Sequence, residues 1–322
     1  MLSLFSCHYN QNIHLSGETM GTTYFITIVP KPHTIIDKSN LQGEIDSLLT
    51  IINNRLSTYI DSSEINMFNE IISSDPLSVS AEFYDIVFKA MEIYEYSSGS
   101  FDITVQPLVN IWGFGPDFIN SQIPDSSKII TLMEQIGSDK LFLIDKSIGK
   151  QDPQMQLDLS AIAKGWGVDR VAGYLKDIGF NQFMIEIGGD ILVSGLNCQN
   201  LPWKIGIRKP DDLLSEIFSS INIKDKAVAT SGTYQNYFNL NGINYSHLID
   251  PLTGYPIQHE LVSATIVADD CATADAIATA VMIKGYKEGL TWINTLPGVE
   301  CLLISRAADG QYISALSEGF NY

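Results

Sequence analysis

Apolar and polar positions alternate first between residues 22 and 29, where Tyr24, Ile26 and Ile28 predict a strand with one buried face. The period then changes. Leu41, Ile45, Leu48, Ile52 and Leu56 recur at helical spacing. A second helix is expected after Ser80, a good N-cap type, through Phe83, Val87, Ala90 and Tyr94, with Gly99 as its stop. Residues 140–145 and 155–159 are short strand candidates. Ser160 opens a helix through Val168, Val171, Leu175 and Ile178, closed by Gly179. Two further strands, 183–187 and 191–194, flank Gly188-Gly189-Asp190.

Asn241-Gly242 is the preferred pair for a two-residue type I′ hairpin. Counting outward pairs Leu240 with Ile243, Phe238 with Tyr245 and Asn236 with His247, all on one face. His247 should therefore project beside an aromatic pair, just ahead of the turn Asp250-Pro251-Leu252-Thr253-Gly254. A strand over 261–268 leads into a helix from Thr273 to near Gly285, and 301–305 and 312–316 form a last hairpin. The expected class is α+β, with mostly antiparallel sheets flanked by helices. Residues 1–16 read as an N-terminal tail and 17–322 as a single domain.

Composition narrows the function classes. With 45% apolar and 17% charged residues the chain can build a packed core, which excludes a disordered protein. Its 19 basic and 37 acidic residues give a net charge of -18, so a nucleic-acid partner held by a basic surface is not expected. No apolar run approaches the roughly 18 residues of a membrane span. The four cysteines stand far apart, without a CxxC, against a disulfide framework or a structural zinc site. Leu4-Phe5-Ser6-Cys7 reads either as the end of a lipoprotein signal whose start lies upstream or as ordinary sequence.

Familiar catalytic motifs are missing. There is no GxxxxGK[ST], GxSxG or HExxH, and Pro116 stops Gly113-Phe114-Gly115 from opening a nucleotide-binding helix. Polar residues at helix starts and strand ends remain. Lys164, in the first turn of its helix, is disfavoured by the helix dipole and wants an anion nearby; phosphate binding and a plain solvated lysine are the two readings. Asp275 and Thr279 lie at i and i+4, where a carboxylate and a hydroxyl can share a hard cation such as Mg²⁺. Alternatively, Asp275 complements the dipole and Thr279 bonds back to a carbonyl. His247 is either a packed strand residue or a catalyst at a polar turn, and Tyr59 either caps a core or stacks on a planar ring.

Together these segments resemble the ApbE family of FAD:protein FMN transferases. The matching blocks run in order: Glu18 to Thr22, Ser57-Thr58-Tyr59 with Ser63-Glu64, Gly99 to Val105, Pro107 to Gly115, and Asp158 to Gly165. Glu186 to Asp190, Ala229 to Gly232, His247 to Gly254 and Thr273 to Thr279 complete them. The resemblance implies FAD in a cleft between lobes, lined by Met20, Tyr59, Ser100, Phe101, Asp102, Asp158, Lys164 and Ile249. It also implies Mg²⁺ on the carbonyl of Ala161, Asp275 and Thr279. A further acidic residue of some members is Ala278 here; Thr233 and Glu186 also depart from common family choices.

The implied reaction is Mg²⁺-dependent attack by an acceptor protein's threonine on the FMN phosphorus, releasing AMP. His247 is the candidate base, with Asp158 as the alternative. Two other readings compete: an FAD pyrophosphatase giving FMN and AMP, and a flavin carrier without turnover. By resemblance the acceptors are flavoprotein subunits of Na⁺-pumping NADH:quinone reductase or Rnf-type complexes. The implied location is the periplasmic side of the inner membrane, lipid-anchored if Cys7 is modified, with the cytoplasm as alternative.

Overall fold

The computed structural model describes residues 12–116, 123–210, 216–234 and 236–322; Cys7 lies outside them. Strands β1 (Ile13–Thr19) and β2 (Thr22–Ile28) meet at a Met20-Gly21 turn in which both residues have positive φ. Residues 13–16, grouped with the tail in the sequence reading, belong to β1. Helices α1 (Lys38–Leu56) and α2 (Glu64–Glu70) follow, then the two-residue β3 (Leu77–Ser78), α3 (Ala81–Tyr96), α4 (Gln106–Ile111) and α5 (Ser126–Met133). Ser80 caps α3 by accepting from the Phe83 amide, as its residue type predicted. Strand β5 (Ser147–Lys150) pairs with both β3 and β4 (Leu141–Ile144) in a small sheet.

The second half supplies most of the large sheet. Its elements are α6 (Ser160–Asp177), β6 (Phe183–Ile187), β7 (Asp190–Ser194), the hairpin β8 (Trp203–Arg208) and β9 (Ile217–Ile223), and β10 (Lys226–Gly232). The hairpin β11 (Tyr237–Leu240) and β12 (Ile243–Ser246), β13 (Leu261–Ala268), α7 (Cys271–Ile293), β14 (Glu300–Arg306) and β15 (Tyr312–Leu316) complete it. Eight strands join in the order β1-β2-β6-β7-β10-β13-β14-β15, every pairing antiparallel. The α+β expectation holds.

Both faces of this sheet are covered, so its central strands lack the simple alternation of a half-exposed sheet. On β10, Ala227 and Ala229 face the helices while Val228 packs with Trp203, Ile205 and Ile221 of the β8–β9 hairpin. On β13, Ile266 and Val267 divide in the same way. A second core, built on α1, α2, α3 and the small sheet, holds Ile52, Phe68, Phe83, Phe101 and Leu157.

Two expected elements differ. Residues 155–159 alternate in burial as a strand would, but pair with no strand. Instead, the Asn69 side chain both donates to the Leu157 carbonyl (2.9 Å) and accepts from its amide (2.7 Å), and the Asp158 amide donates to the Ile103 carbonyl (2.7 Å). A side-chain amide has replaced the neighbouring strand. Helix α7 starts at Cys271, two residues before the expected Thr273, because Asp270 caps it by accepting from the Thr273 amide at 2.9 Å. The helical geometry is interrupted at Gly285 (φ 76°, ψ 178°), where the end was expected, and a second helical stretch runs on to Ile293; His259 sits within hydrogen-bond distance of the Met282 carbonyl at 2.8 Å.

Helices α6 and α7 touch through Gly165. A Cβ there would fall 2.3 Å from the Cys271 carbonyl oxygen and 2.8 Å from the Ala272 Cα, both backbone atoms that cannot yield. Gly165→Ala should therefore lower the stability of the fold by about 1–3 kcal/mol, measured as the urea midpoint, because the helices must part. An unchanged midpoint would show that the crossing is loose.

Candidate active site

Between the large sheet and the α4 side of the molecule lies a cleft of about 330 Å³. Lys164 of α6 lies in its floor, between two buried carboxylates. Its Nζ contacts Asp190 Oδ2 closely and lies 3.3 Å from both oxygens of Asp275. Asp190 opens β7 directly after Gly188-Gly189, both at positive φ. A Cβ on Gly188 would sit 2.8 Å from Thr22 Cγ2 and 3.3 Å from Lys164 Cδ, so the glycine lets the lysine stem lie across the turn. Burial works against the Lys164 ammonium, but Asp190 and Asp275 outweigh it and hold its pKa above the ordinary value. Burial, then the Asp190 charge, push the Asp275 carboxyl upward against the pull of Lys164. The anion that Lys164 needed is thus in the protein itself.

The same corner has oxygen donors suited to a hard cation. Asp275 and Thr279 are successive on one face of α7, and Thr279 Oγ1 lies 3.2 Å from Ser231 Oγ. The Gly165 amide, which helix geometry would aim at the Ala161 carbonyl, reaches Asp275 Oδ2 at 3.1 Å. Among the described residues no group of three His, Cys, Asp or Glu side chains could hold a metal. A cation here would use a carboxylate, a hydroxyl, a carbonyl and oxygens from its ligand or water, the donor type Mg²⁺ selects. Ala278 is buried and adds no ligand.

His247 stands at the cleft wall one residue past β12, its amide still bonded to the Asn236 carbonyl at 3.1 Å. The hairpin has the expected register, with Asn241 and Gly242 both at positive φ. His247 Nδ1 lies 3.0 Å from the Asn236 carbonyl, which can only accept, so Nδ1 carries the proton and Nε2 keeps a lone pair. The ring meets Phe114 edge-on, beside the stacked Phe238–Tyr245 pair. Burial, aided by the Lys164 charge, lowers the His247 pKa, against the Asn236 bond and Asp158. Burial raises the Asp158 carboxyl, although the Ser160 amide (2.8 Å) and His247 oppose the rise.

Tyr59, Ser100, Phe101, Asp102, Asp158, Ala161, Lys164, Ile249, Asp275 and Thr279 all line this one cleft. Tyr59 is 69% exposed at the rim, free to cover a planar ligand. Asp102 is buried, and its Oδ1 accepts from the Thr104 amide (2.8 Å), the Thr104 hydroxyl (2.7 Å) and Ser138 (2.7 Å). Met20 is not a lining residue. It occupies the β1–β2 turn, and its Cε would lie 3.0 Å from a Cβ on Gly167 of α6.

Three residues stand out that the sequence reading gave no role. Asp190 followed a recognisable Gly-Gly turn, but nothing local announces a carboxylate aimed at a lysine 26 residues earlier. Asn66 and Asn69, one turn apart on α2, hold the Tyr59 loop and the Asp158 segment. Asn66 donates to the carbonyls of Thr58 (2.9 Å) and Ile60 (3.0 Å), and Asn69 grips Leu157.

The sequence model of the ApbE family matches residues 20–303. The chain is 40% identical to the FAD:protein FMN transferase of Vibrio cholerae, covering 96% of this chain and 93% of that protein. It is 36% identical to the FAD:protein FMN transferase of Haemophilus influenzae, over 90% and 86%. Among solved structures it is similar to the flavin transferase ApbE from Vibrio cholerae, with a TM-score of 0.88, 40% identity and coverage of 96% and 98%. The apo flavinyl transferase ApbE of Pseudomonas stutzeri gives a TM-score of 0.87 at 29% identity, over 96% and 95%.

The Asn69 grip can be tested directly. Asn69→Ala leaves both polar groups of the buried Leu157 peptide unpaired, which should cost about 1–3 kcal/mol in the urea midpoint. The Leu157 amide should also lose its hydrogen-exchange protection ahead of the β13 amides. Equal protection in the variant would show that Asn69 does not hold the segment.

Proposed function

The chain belongs to the ApbE family, and from that premise we propose that it transfers the FMN half of FAD to a threonine hydroxyl of an acceptor flavoprotein, releasing AMP. One observation carries the reading: a lysine held in carboxylate and hydroxyl surroundings shares a cleft with apolar and aromatic walls. A dinucleotide needs both, a charged corner for its pyrophosphate and flat walls for its rings. The curated relatives are named as transferases, which favours transfer over FAD hydrolysis.

The nucleophile in this reading belongs to the acceptor, consistent with the lack of a GxSxG motif in the chain. The acceptor we infer is a flavoprotein subunit of a Na⁺-pumping NADH:quinone reductase or Rnf-type complex. His247 Nε2 takes the threonine proton, since Nδ1 is committed to the Asn236 carbonyl; Asp158 is the second candidate. Lys164 holds Asp190 and Asp275 in place at the phosphate corner, and Tyr59 covers the cleft mouth. Ala161, Asp275 and Thr279 are the residues that would hold Mg²⁺. When bound, the ion supplies neutralisation of pyrophosphate charge. Incubation with FAD, Mg²⁺ and an acceptor subunit, followed by mass spectrometry, should show an FMN-sized adduct on a threonine. FMN and AMP accumulating without an adduct would replace transfer by hydrolysis.

His247→Ala should slow transfer by ~10²–10⁴-fold with FAD binding little changed. A base acts in its neutral form, and burial lowers the His247 pKa below the ordinary value of about 6.5. The neutral ring therefore persists as pH falls through that value. The rate should hold from neutral pH down past it and decline only at lower pH, and the variant should lose this acid limb. A limb unchanged in His247→Ala would move the role to Asp158.

Asp275→Asn tests the cation corner. The amide keeps an acceptor for the Gly165 N–H and relieves repulsion from Asp190, so the fold should persist. Mg²⁺ affinity should fall, read by titration calorimetry in the presence of FAD, and excess Mg²⁺ should restore part of the activity. Wild-type activity at limiting Mg²⁺ would remove Asp275 from the ligand set.

A further inference from the structure

A buried polar atom in the cleft has no partner among the described residues. Gln106, at the start of α4, is 4% exposed and lines the cleft, and its Oε1 accepts no hydrogen bond. Four other buried side-chain atoms share this condition, on Asn12, Trp203, Ser263 and Ser305, and none of those residues lines the cleft. Native proteins pair nearly all such groups, so an orphan inside a binding cleft asks for a donor from outside.

The amide is tied to a neighbour on its own helix. Gln106 Nε2 donates to Asn110 Oδ1 at 2.7 Å, an i to i+4 bond along α4. Turning the Gln106 amide alone would set oxygen against oxygen. Asn110 is itself fitted over Gly115, where an added Cβ would fall 1.9 Å from its Oδ1. Around Gln106 the cleft presents Phe101, Ile103, Val105, Val109 and Phe114, walls suited to a flat ring more than to a polyol. An acceptor at the edge of such a slot reads a ring N–H, and the second Nε2 hydrogen can donate to the acceptor beside it.

We propose that Gln106 is a specificity-determining residue, its Oε1 accepting a hydrogen bond from a ring-edge N–H of the bound dinucleotide. Two groups of FAD have this chemistry, the flavin imide and the adenine amine. The proposal rests on the FAD reading above and adds a named contact to it. It explains why an acceptor is left buried and unpaired in the ligand-free protein, at a cost in stability that the bound ring removes.

Gln106→Met keeps the length and loses the acceptor. Its FAD affinity, read by flavin fluorescence quenching, should be about tenfold weaker. Without ligand it should melt at the wild-type temperature or above, because the orphan is gone. Saturating FAD should then raise its melting temperature less than it raises that of wild type. Parallel titrations with FMN and with ADP identify the donor: a loss on FMN assigns the flavin imide, a loss on ADP the adenine amine. FAD binding by Gln106→Met equal to wild type, with an equal thermal shift, overturns the proposal and leaves the function intact. Wild-type protein that binds no FAD would overturn both.

Discussion

Lys164, placed between Asp190 and Asp275, is the contact on which the arrangement of the cleft depends. It joins α6 to β7 and to α7, three elements far apart in the chain. A buried ion group of this kind is a poor source of net stability, because desolvation consumes most of the Coulomb gain. Losing Lys164 is another matter, since the two buried carboxylates would then be uncompensated, at a cost of about 3–5 kcal/mol. The group therefore specifies geometry more than it stabilises. Its neighbours act in the same direction: Asp169 of α6 accepts from the Cys271 and Ala272 amides, both at 2.8 Å, and so caps α7 from outside. Burial raises the Asp169 carboxyl to about 7, so this cap is also held against a desolvation penalty.

The charge balance of the chain makes such a corner necessary. A protein of net charge -18 repels a pyrophosphate at long range, and attraction must come from a few groups at short range. Lys164 alone is offset by two carboxylates, which leaves room for a divalent cation to tip the local balance. The departures from family habit bear on this corner unequally. Ala278 removes a candidate ligand, whereas Glu186 and Thr233 stand outside the lining residues.

Local chemistry was legible in the sequence wherever it determined local shape. Asn241-Gly242 gave its hairpin with the register counted outward from the turn, and Ser80 and Gly179 bounded their helices as their residue types dictate. Lys164 betrayed itself by standing where a helix dipole disfavours it. What stayed hidden involves partners distant in sequence. Asn69 replaces a strand for residues 88 positions away, and a periodicity argument cannot separate that from a ladder. Asp190 and Gln106 look like ordinary turn and helix residues until the fold brings their surroundings together. The approach of Met20 to Gly167 of α6 is a contact of the same long-range kind.

The strand order of the large sheet has a kinetic side. Tyr24 of β2 lies opposite Ile187 of β6, and the described strands between them in the sequence, β3, β4 and β5, form a separate sheet. At ~5–20 residues per second, ribosomal synthesis separates the two by on the order of ten seconds or more. The apolar face of the hairpin, Leu15, Tyr24, Ile26 and Ile28, packs on Leu41, Ile45 and Leu49 of the next element, α1, but throughout that interval the β2 edge waits unpaired. Non-local pairing of this kind makes folding slow and the early chain sticky. The open edge of β2 is thus the part of the early chain exposed to wrong pairing, long before the cleft exists.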